Sequence, residues 1–495
     1  MTDTETQPRA VKFSRLARRG ILLGLSGPQL NVLGVAALLL VAALYSGGNA
    51  VAAAIPVLAV LIAVAFAHAG GRPLTAWAPI AWRWARRTIT GQLEFRARIG
   101  QPRPTGTLAL PGDAARLREY LDPQTGAAYV HDPHAGTLTA VVQVTHPGFV
   151  LLDPTEQDRR VTAWGRALAT ACRTGRIASV QILGRTLPDS GKSLADWWHT
   201  HGTRDGSWAA QIYEQLVDRA GPAGQRHAST ISIAIDTRTA SRAIRAAGGG
   251  LRGAAAVLRH ELDTMTMALA AADITATAPL GPGDLAIMLR TAYDPAVAAT
   301  LERHGDLGRD LATAGPLSVT ESWGHLRSDS AYHAVLWISE WPRTLVSPAF
   351  LQPLLTSTGV QHAFTLLFTP VRADLAARDL RKKKTEYISE AAQRARIGQI
   401  EDATQTAEYT DVLQQEADLT TGHGLLRAIG LVTVSAPSLD DLERSVAVIE
   451  QAAVQSYCET RRLWGQQAQV FTVAALPLCH SANSSPLRWP LSPRP

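Results

Sequence analysis

From Gly20 to Gly71 the chain carries no Asp, Glu, Lys or Arg, and only Tyr45 and His68 are titratable. A charge placed in hydrocarbon costs several kcal/mol, so a run this long without one reads as membrane-spanning. One helical span needs about 20 residues, and roughly 50 leave room for two. The turn cluster Tyr45-Ser46-Gly47-Gly48-Asn49 divides them. The first span is expected over about Asn31–Tyr45 with a few preceding residues, enclosing Leu40. The second is expected over about Val51–Ala69, enclosing Leu61. Ala67-His68-Ala69 has the shape of a signal-cleavage site, but a signal h-region runs only about 7–15 residues, far less than this stretch.

Orientation follows from the flanks. Arg9, Lys12, Arg15, Arg18 and Arg19 precede the first span, Arg72, Arg83, Arg86 and Arg87 follow the second, and the connecting loop is uncharged. The positive-inside rule then puts both termini in the cytoplasm and the loop outside, in a multi-pass protein of the inner (plasma) membrane. Trp77, Trp82 and Trp84 interleave with the second arginine group, as amphipathic rings do at headgroup level, so Leu74–Leu93 reads as an interfacial helix or stalk.

At 495 residues the chain is long enough for two or three domains, and its 46% hydrophobic content is that of a folded protein. The formal charge of +6 and pI near 9.4 come from scattered arginine and from the flanks of the apolar run. That distribution fits a solvated surface beside a membrane better than a nucleic-acid groove. Cys172, Cys458 and Cys479 lie far apart and exclude a disulfide framework.

Beyond a linker at 101–106, β-branched alternating runs (Thr137–Thr145, Ile177–Leu183, Thr230–Asp236, His333–Trp337, Ala363–Phe368, Leu425–Ser435) are interspersed with helical patterns. Asp374–Asp418 reads as a long helix or a helical hairpin broken near Gly398, and Ser438 with Asp441 opens a further helix. The expected fold is an N-terminal two-helix transmembrane hairpin followed by a cytoplasmic mixed α/β (α+β) region of two subdomains. The expected divisions are a basic arm (1–27), the hairpin (28–71), an interfacial helix and linker (72–105), the first subdomain (106–314), the second with its long helix (315–478) and a disordered tail (479–495).

Thr186-Leu187-Pro188-Asp189-Ser190-Gly191-Lys192-Ser193 imitates a phosphate-binding loop between a strand and a helix. Such a loop needs glycine at its first position to wrap amides around phosphate, and here Thr186 stands there while Pro188 removes an amide. Gly191, Lys192 and Ser193 are a weak nucleotide site, with Asp236 or Glu340 as conceivable magnesium partners; a turn in which Ser190 or Ser193 caps the helix is the simpler account. His131, His134 and His146 lack further ligands at a recognisable spacing, and His199 and His201 do not share a helix face. No metal, cofactor or catalytic constellation is expected. The basic run Arg381-Lys382-Lys383-Lys384 reads as a solvated or partner-facing helix surface, with anionic lipid and nucleic acid as the other readings.

Three features together resemble a known family: the basic arm with its two-helix hairpin; Gln181-Ile182-Leu183-Gly184-Arg185-Thr186-Leu187-Pro188-Asp189 followed by a helix bearing Trp197 and Trp198; and Arg461-Arg462-Leu463-Trp464-Gly465-Gln466-Gln467 leading into Phe471–Leu478. The chain resembles actinobacterial conjugation proteins of type IV (loosely type VI) secretion, which are similar to a membrane hairpin joined to the N-terminal, non-motor domain of the conjugation ATPase. The resemblance implies a non-enzymatic membrane platform of a DNA-transfer apparatus. Its partners would be the lipid bilayer, a separate motor ATPase, sister membrane subunits and further copies of itself, with direct nucleic-acid binding left open. The segment after Leu478 departs from the family, where a Gly-rich finish is expected. The membrane component of type VII secretion has a similar layout and stays open as an alternative, as does a membrane-bound NTPase using Thr186–Ser193.

Overall fold

The computed structural model describes residues 25, 27–69, 72–98, 100–101, 106–203, 205–220, 224–342, 345–397, 409–410, 412–417 and 424–480. Most of the expected basic arm, the expected helix break near Gly398 and the tail from residue 481 lie outside the described residues. Between Leu93 and Glu94 the chain divides into two compact units.

In the first unit, α1 (Gly27–Ser46) and α2 (Gly48–Phe66) are joined at Gly47, whose φ of +101° suits glycine alone. Gln29, Ala36 and Ala43, each seven residues apart, form the buried seam of α1, and Ala54 and Ala65 that of α2. Small side chains let the backbones approach, and Gln29 Nε2 donates to the Ala65 carbonyl at 2.9 Å. The large apolar residues point outward, Leu38 being 72% exposed. Both helices are long and apolar enough to cross a membrane. Helix α1 begins at Gly27, within the few residues expected ahead of Asn31, whereas Ala69 lies outside α2 in a two-residue strand, β1 (His68–Ala69), paired with β2 (Arg72–Pro73). The Gly70-Gly71 pair and Pro73 in the sequence account for the early stop. An amphipathic helix, α3 (Leu74–Ile89), follows.

The second unit opens with β3 (Glu94–Arg96). Then come β4 (Arg118–Leu121), β5 (Ala128–Asp132), β6 (Thr137–Thr145), α4 (Pro154–Arg173) and β7 (Ile177–Pro188). A helical pair, α5 (Lys192–His201) and α6 (Trp208–Ala220), leads to β8 (Gln225–Asp236), α7 (Ser241–Ala246), α8 (Gly250–Ala270), β9 (Thr275–Pro279), α9 (Pro282–Tyr293) and α10 (Ala298–Arg303). The remainder is β10 (Ser318–Glu321), β11 (Leu326–Ser328), β12 (Ala331–Glu340), α11 (Gln352–Leu355), β13 (Gln361–Val371), α12 (Ala373–Ile397), β14 (Leu425–Ala436), α13 (Leu439–Gln455), β15 (Glu459–Arg462) and α14 (Gln467–Ala474). Ser438 caps α13 as its sequence suggests, its Oγ accepting from the Asp441 amide at 3.1 Å.

Among the described residues thirteen strands make one sheet, in the order β3-β10-β11-β12-β14-β13-β7-β8-β6-β5-β4, with β15 beside β12 and β9 beside β6. The halves of this order mirror each other. In each, a three-strand meander is followed by a strand at the sheet centre, a helical excursion, and a strand returning between the third and fourth. A long helix (α8 or α13), a short strand pairing with the third strand, and a helix (α9 or α14) complete each half. The halves join at the antiparallel pair β7–β13, where Leu183 faces Thr365. One sheet thus runs through both ranges, 106–314 and 315–478.

Alternation along the strands sorts two faces. On one, Ile231, Ile233 and Ile235 of β8 pack with α4 and α8, and Val432 and Val434 of β14 pack with α13. On the other, Val141, Val335, Leu367 and Leu431 pack with Leu285 and Leu289 of α9 and Val470 and Phe471 of α14. The chain is therefore two N-terminal apolar helices followed by a mixed α/β region built on a large antiparallel sheet.

Candidate functional site

The phosphate-loop imitation starts inside a strand. Thr186, Leu187 and Pro188 belong to β7 and face His227, Arg226 and Gln225 of β8. The turn that follows spends its amides on its own side chains: Gly191 N–H donates to Asp189 Oδ1 at 3.0 Å and Lys192 N–H to Ser190 Oγ at 3.1 Å. Gly191, at φ +75°, lets the chain enter α5 with Lys192 exposed as its first residue. Ser193 Oγ donates to Glu302 Oε1 at 3.2 Å, and Arg226 pairs with the same carboxylate at 2.9 Å. A carboxylate therefore stands where a phosphate would approach. Asp236 ends β8, eleven residues from the loop-proximal Gln225, or about 36 Å at a strand's rise. Glu340 ends β12, beyond β14 and β13. Neither reaches Ser193.

The histidines are likewise dispersed. His131 and His134 flank Asp132, whose Oδ1 accepts from the His134 and Ala135 amides at 2.9 and 3.0 Å and whose Oδ2 accepts from Arg116. Burial raises the Asp132 carboxyl, but these donors outweigh it and leave it below the ordinary carboxylate range. His146 follows the far end of β6, and His201 stacks on Trp197. Among the described residues no three His, Cys, Asp or Glu side chains gather as metal ligands. In the basic run, Lys383 pairs with Asp379 at 3.5 Å and Lys384 with Glu416 at 2.8 Å, while the Tyr387 and Tyr409 rings meet in a tilted contact. Tyr409 and Glu416 thus lie alongside α12.

Two of the three features that carry the family resemblance are joints of the sheet. Gln181 Nε2 donates to the carbonyls of Val473 and Leu476 at 3.0 and 2.9 Å. Arg185, buried, donates to the Met288 carbonyl at 2.9 Å, and burial together with nearby Arg226 holds its guanidinium down at about 10. Arg462 pairs with Glu443 at 2.8 Å and donates to the Gly324 carbonyl, and Gln467 Oε1 accepts from Val335 N–H at 2.8 Å.

Gln181 is one of five buried polar side chains that form a stripe across the sheet under the segment after α14. Thr365 on β13 donates to the Ala474 carbonyl, Ser232 on β8 to Pro477, Thr139 on β6 to Leu478 and Ser179 on β7 to Cys479. A buried irregular segment needs such donors, because its carbonyls have no ladder of their own. This corrects the expected start of the disordered tail: Cys479 and His480 are buried, with Cys479 N–H held by Gln181. Its legible trace was polar residues at inward positions, Ser232 between Ile231 and Ile233 for instance.

The helical pair between β7 and β8 falls where the sequence places it, at about Ser193–His201 and Trp208–Ala220, and it presents an exposed face. The Trp198 and Tyr213 rings meet in a tilted contact, their centroids 4.4 Å apart, and hold α5 against α6. Trp208, Ile212 and Leu216, at i, i+4 and i+8, form an outward stripe, with Trp208 77% exposed. Among the described side chains of α6, Val217 is the one apolar residue that is buried.

In the first unit Asn31, Leu40 and Tyr45 are exposed, Val51 and Leu61 half-buried, Trp82 exposed, and Trp77 and Trp84 half-buried. No protein-family model matches the chain, and a search of the curated proteins finds no match.

Proposed function

We propose that this protein is a membrane-anchored structural platform in a conjugative, type IV-like DNA-transfer apparatus, docking a separate motor ATPase on its α/β unit. The spans α1 and α2 fix it in the plasma membrane with both termini in the cytoplasm. Their inside-out character supports this: alanines meet at the seam while leucine and isoleucine face outward, as lipid rather than water requires. The observation that carries the docking reading is the α5–α6 pair, whose exposed Trp208–Ile212–Leu216 stripe has the size and aromatic character of an interaction surface. The self-occupied amides of Gly191 and Lys192 favour a platform over a membrane-bound NTPase. The assignment to conjugation rests on the family resemblance.

The test is affinity isolation of the full chain from detergent-solubilised membranes of its host, with mass spectrometry and ATP hydrolysis as readouts. Wild type should bring down a P-loop motor ATPase, and Trp208→Ser with Leu216→Ser should lose it while remaining folded. Recovery of no ATPase with wild type would overturn the docking reading.

A further inference from the structure

On the footing of that membrane anchor, we propose that α3 is a receptor for anionic phospholipid headgroups, lying in the plane of an acidic leaflet. Between Gln7 and Leu93 the sequence contains no Asp or Glu at all, while arginines stand on both sides of the spans. The charge along this stretch is therefore of one sign, and an anionic surface complements it.

Helix α3 sorts its residues accordingly. Thr75, Ala76 and Ile80 are buried, all in its first half. Ala78, Trp82, Ala85 and Ile89, at i, i+4, i+7 and i+11, form an apolar stripe that is exposed throughout, Trp82 at 74% and Ile89 at 86%. Arg83, Arg86 and Arg87, at i, i+3 and i+4, occupy the neighbouring face. In water such a stripe would be a liability. Against a bilayer it buries its tryptophan and isoleucine at the acyl boundary while guanidinium forks meet phosphate oxygens. The helix leaves the second span after only a short turn, so it has no means of leaving the membrane surface far behind.

The two kinds of lipid headgroup separate cleanly in an experiment. Ala85→Cys is labelled with nitrobenzoxadiazole in the full chain. The native thiols compete poorly: Cys458 and Cys479 are buried and pushed up to about 12, and burial also raises half-buried Cys172. The labelled protein is reconstituted into phosphatidylcholine vesicles with and without phosphatidylglycerol. The label's emission should shift to the blue when phosphatidylglycerol is added, and 1 M salt should reverse it. Each arginine replaced by Gln should weaken the inserted state roughly fivefold, so Arg83→Gln with Arg86→Gln and Arg87→Gln should weaken it on the order of a hundredfold. The same emission in both lipids, or a shift that survives the triple replacement, overturns the proposal. Flotation after an alkaline wash reads the anchor separately: a stripped chain sinks the membrane reading itself, and a retained chain with a silent label sinks only the lipid site.

Discussion

The amide of Gln181, in the middle of the sheet, holds the backbone of Cys479 nearly three hundred residues later: Cys479 N–H donates to Gln181 Oε1 at 2.7 Å while Gln181 Nε2 donates to Leu476 O at 2.9 Å. A single side chain thus grips both edges of the segment that closes the second core. Replacing it by an apolar residue of similar size strands a buried amide and two buried carbonyls. Gln181→Leu should destabilise the α/β unit by about 2–4 kcal/mol, read as a lowered denaturation midpoint of the detergent-solubilised chain. Gln181→Glu should not restore the loss, because its second oxygen, an acceptor, would face the Val473 and Leu476 carbonyls. An unchanged midpoint in the Leu variant would show that water replaces the amide.

His333 gives the unit a defined acid sensitivity. Its ring is fully buried, with Nδ1 at 2.8 Å from Ser435 Oγ and Nε2 at 2.9 Å from Ser328 Oγ and 3.0 Å from the Tyr293 carbonyl. Burial, partly offset by the Tyr293 hydrogen bond, depresses it from 6.5 to about 4. A depressed folded-state value means that the unfolded chain takes up the proton first. The stability is then fully present above pH 6.5 and is lost as pH falls from 6.5 towards 4, by about 3 kcal/mol. Comparing wild type with His333→Gln across that window isolates this residue from the other buried histidines. Parallel stability profiles for the two proteins would show that His333 titrates normally.

Much of this architecture is legible in the sequence, for a physical reason in each case. The charge-free run marks α1 and α2 because it is long enough for two apolar helices of about 20 residues each. The alternating runs mark β6, β8 and β14 because each strand buries at least one face. The repetition of the sheet order in two halves is not legible, because topology is conserved by pattern and not by residue identity, and α4 in one half stands where the short α11 stands in the other. The stripe of Thr139, Ser179, Gln181, Ser232 and Thr365 was hidden for a related reason. Each residue is a lone polar interruption in its own strand, and only the sheet brings them into one row.

The spans make a topological prediction. Ser46 lies at the turn between α1 and α2, and Glu94 opens the second unit. In intact cells, Ser46→Cys should react with a membrane-impermeant maleimide, whereas Glu94→Cys should react only after lysis. Equal labelling of both in intact cells would reverse or remove the proposed orientation.

The imitation phosphate loop yields the last prediction. If the amides of Gly191 and Lys192 stay engaged with Asp189 and Ser190, they cannot wrap a phosphate, and Glu302 beside Ser193 repels one. Titration calorimetry of the purified full chain with ATP and magnesium should show no saturable binding, and Lys192→Ala should change nothing. Releasing the turn by Asp189→Ala should still give no site, because Thr186 and Pro188 remain locked in the ladder with β8. Saturable binding lost in Lys192→Ala would mean that the turn reopens around nucleotide. The chain would then be an NTPase in its own right, with the energy of transport drawn from this loop instead of from a partner.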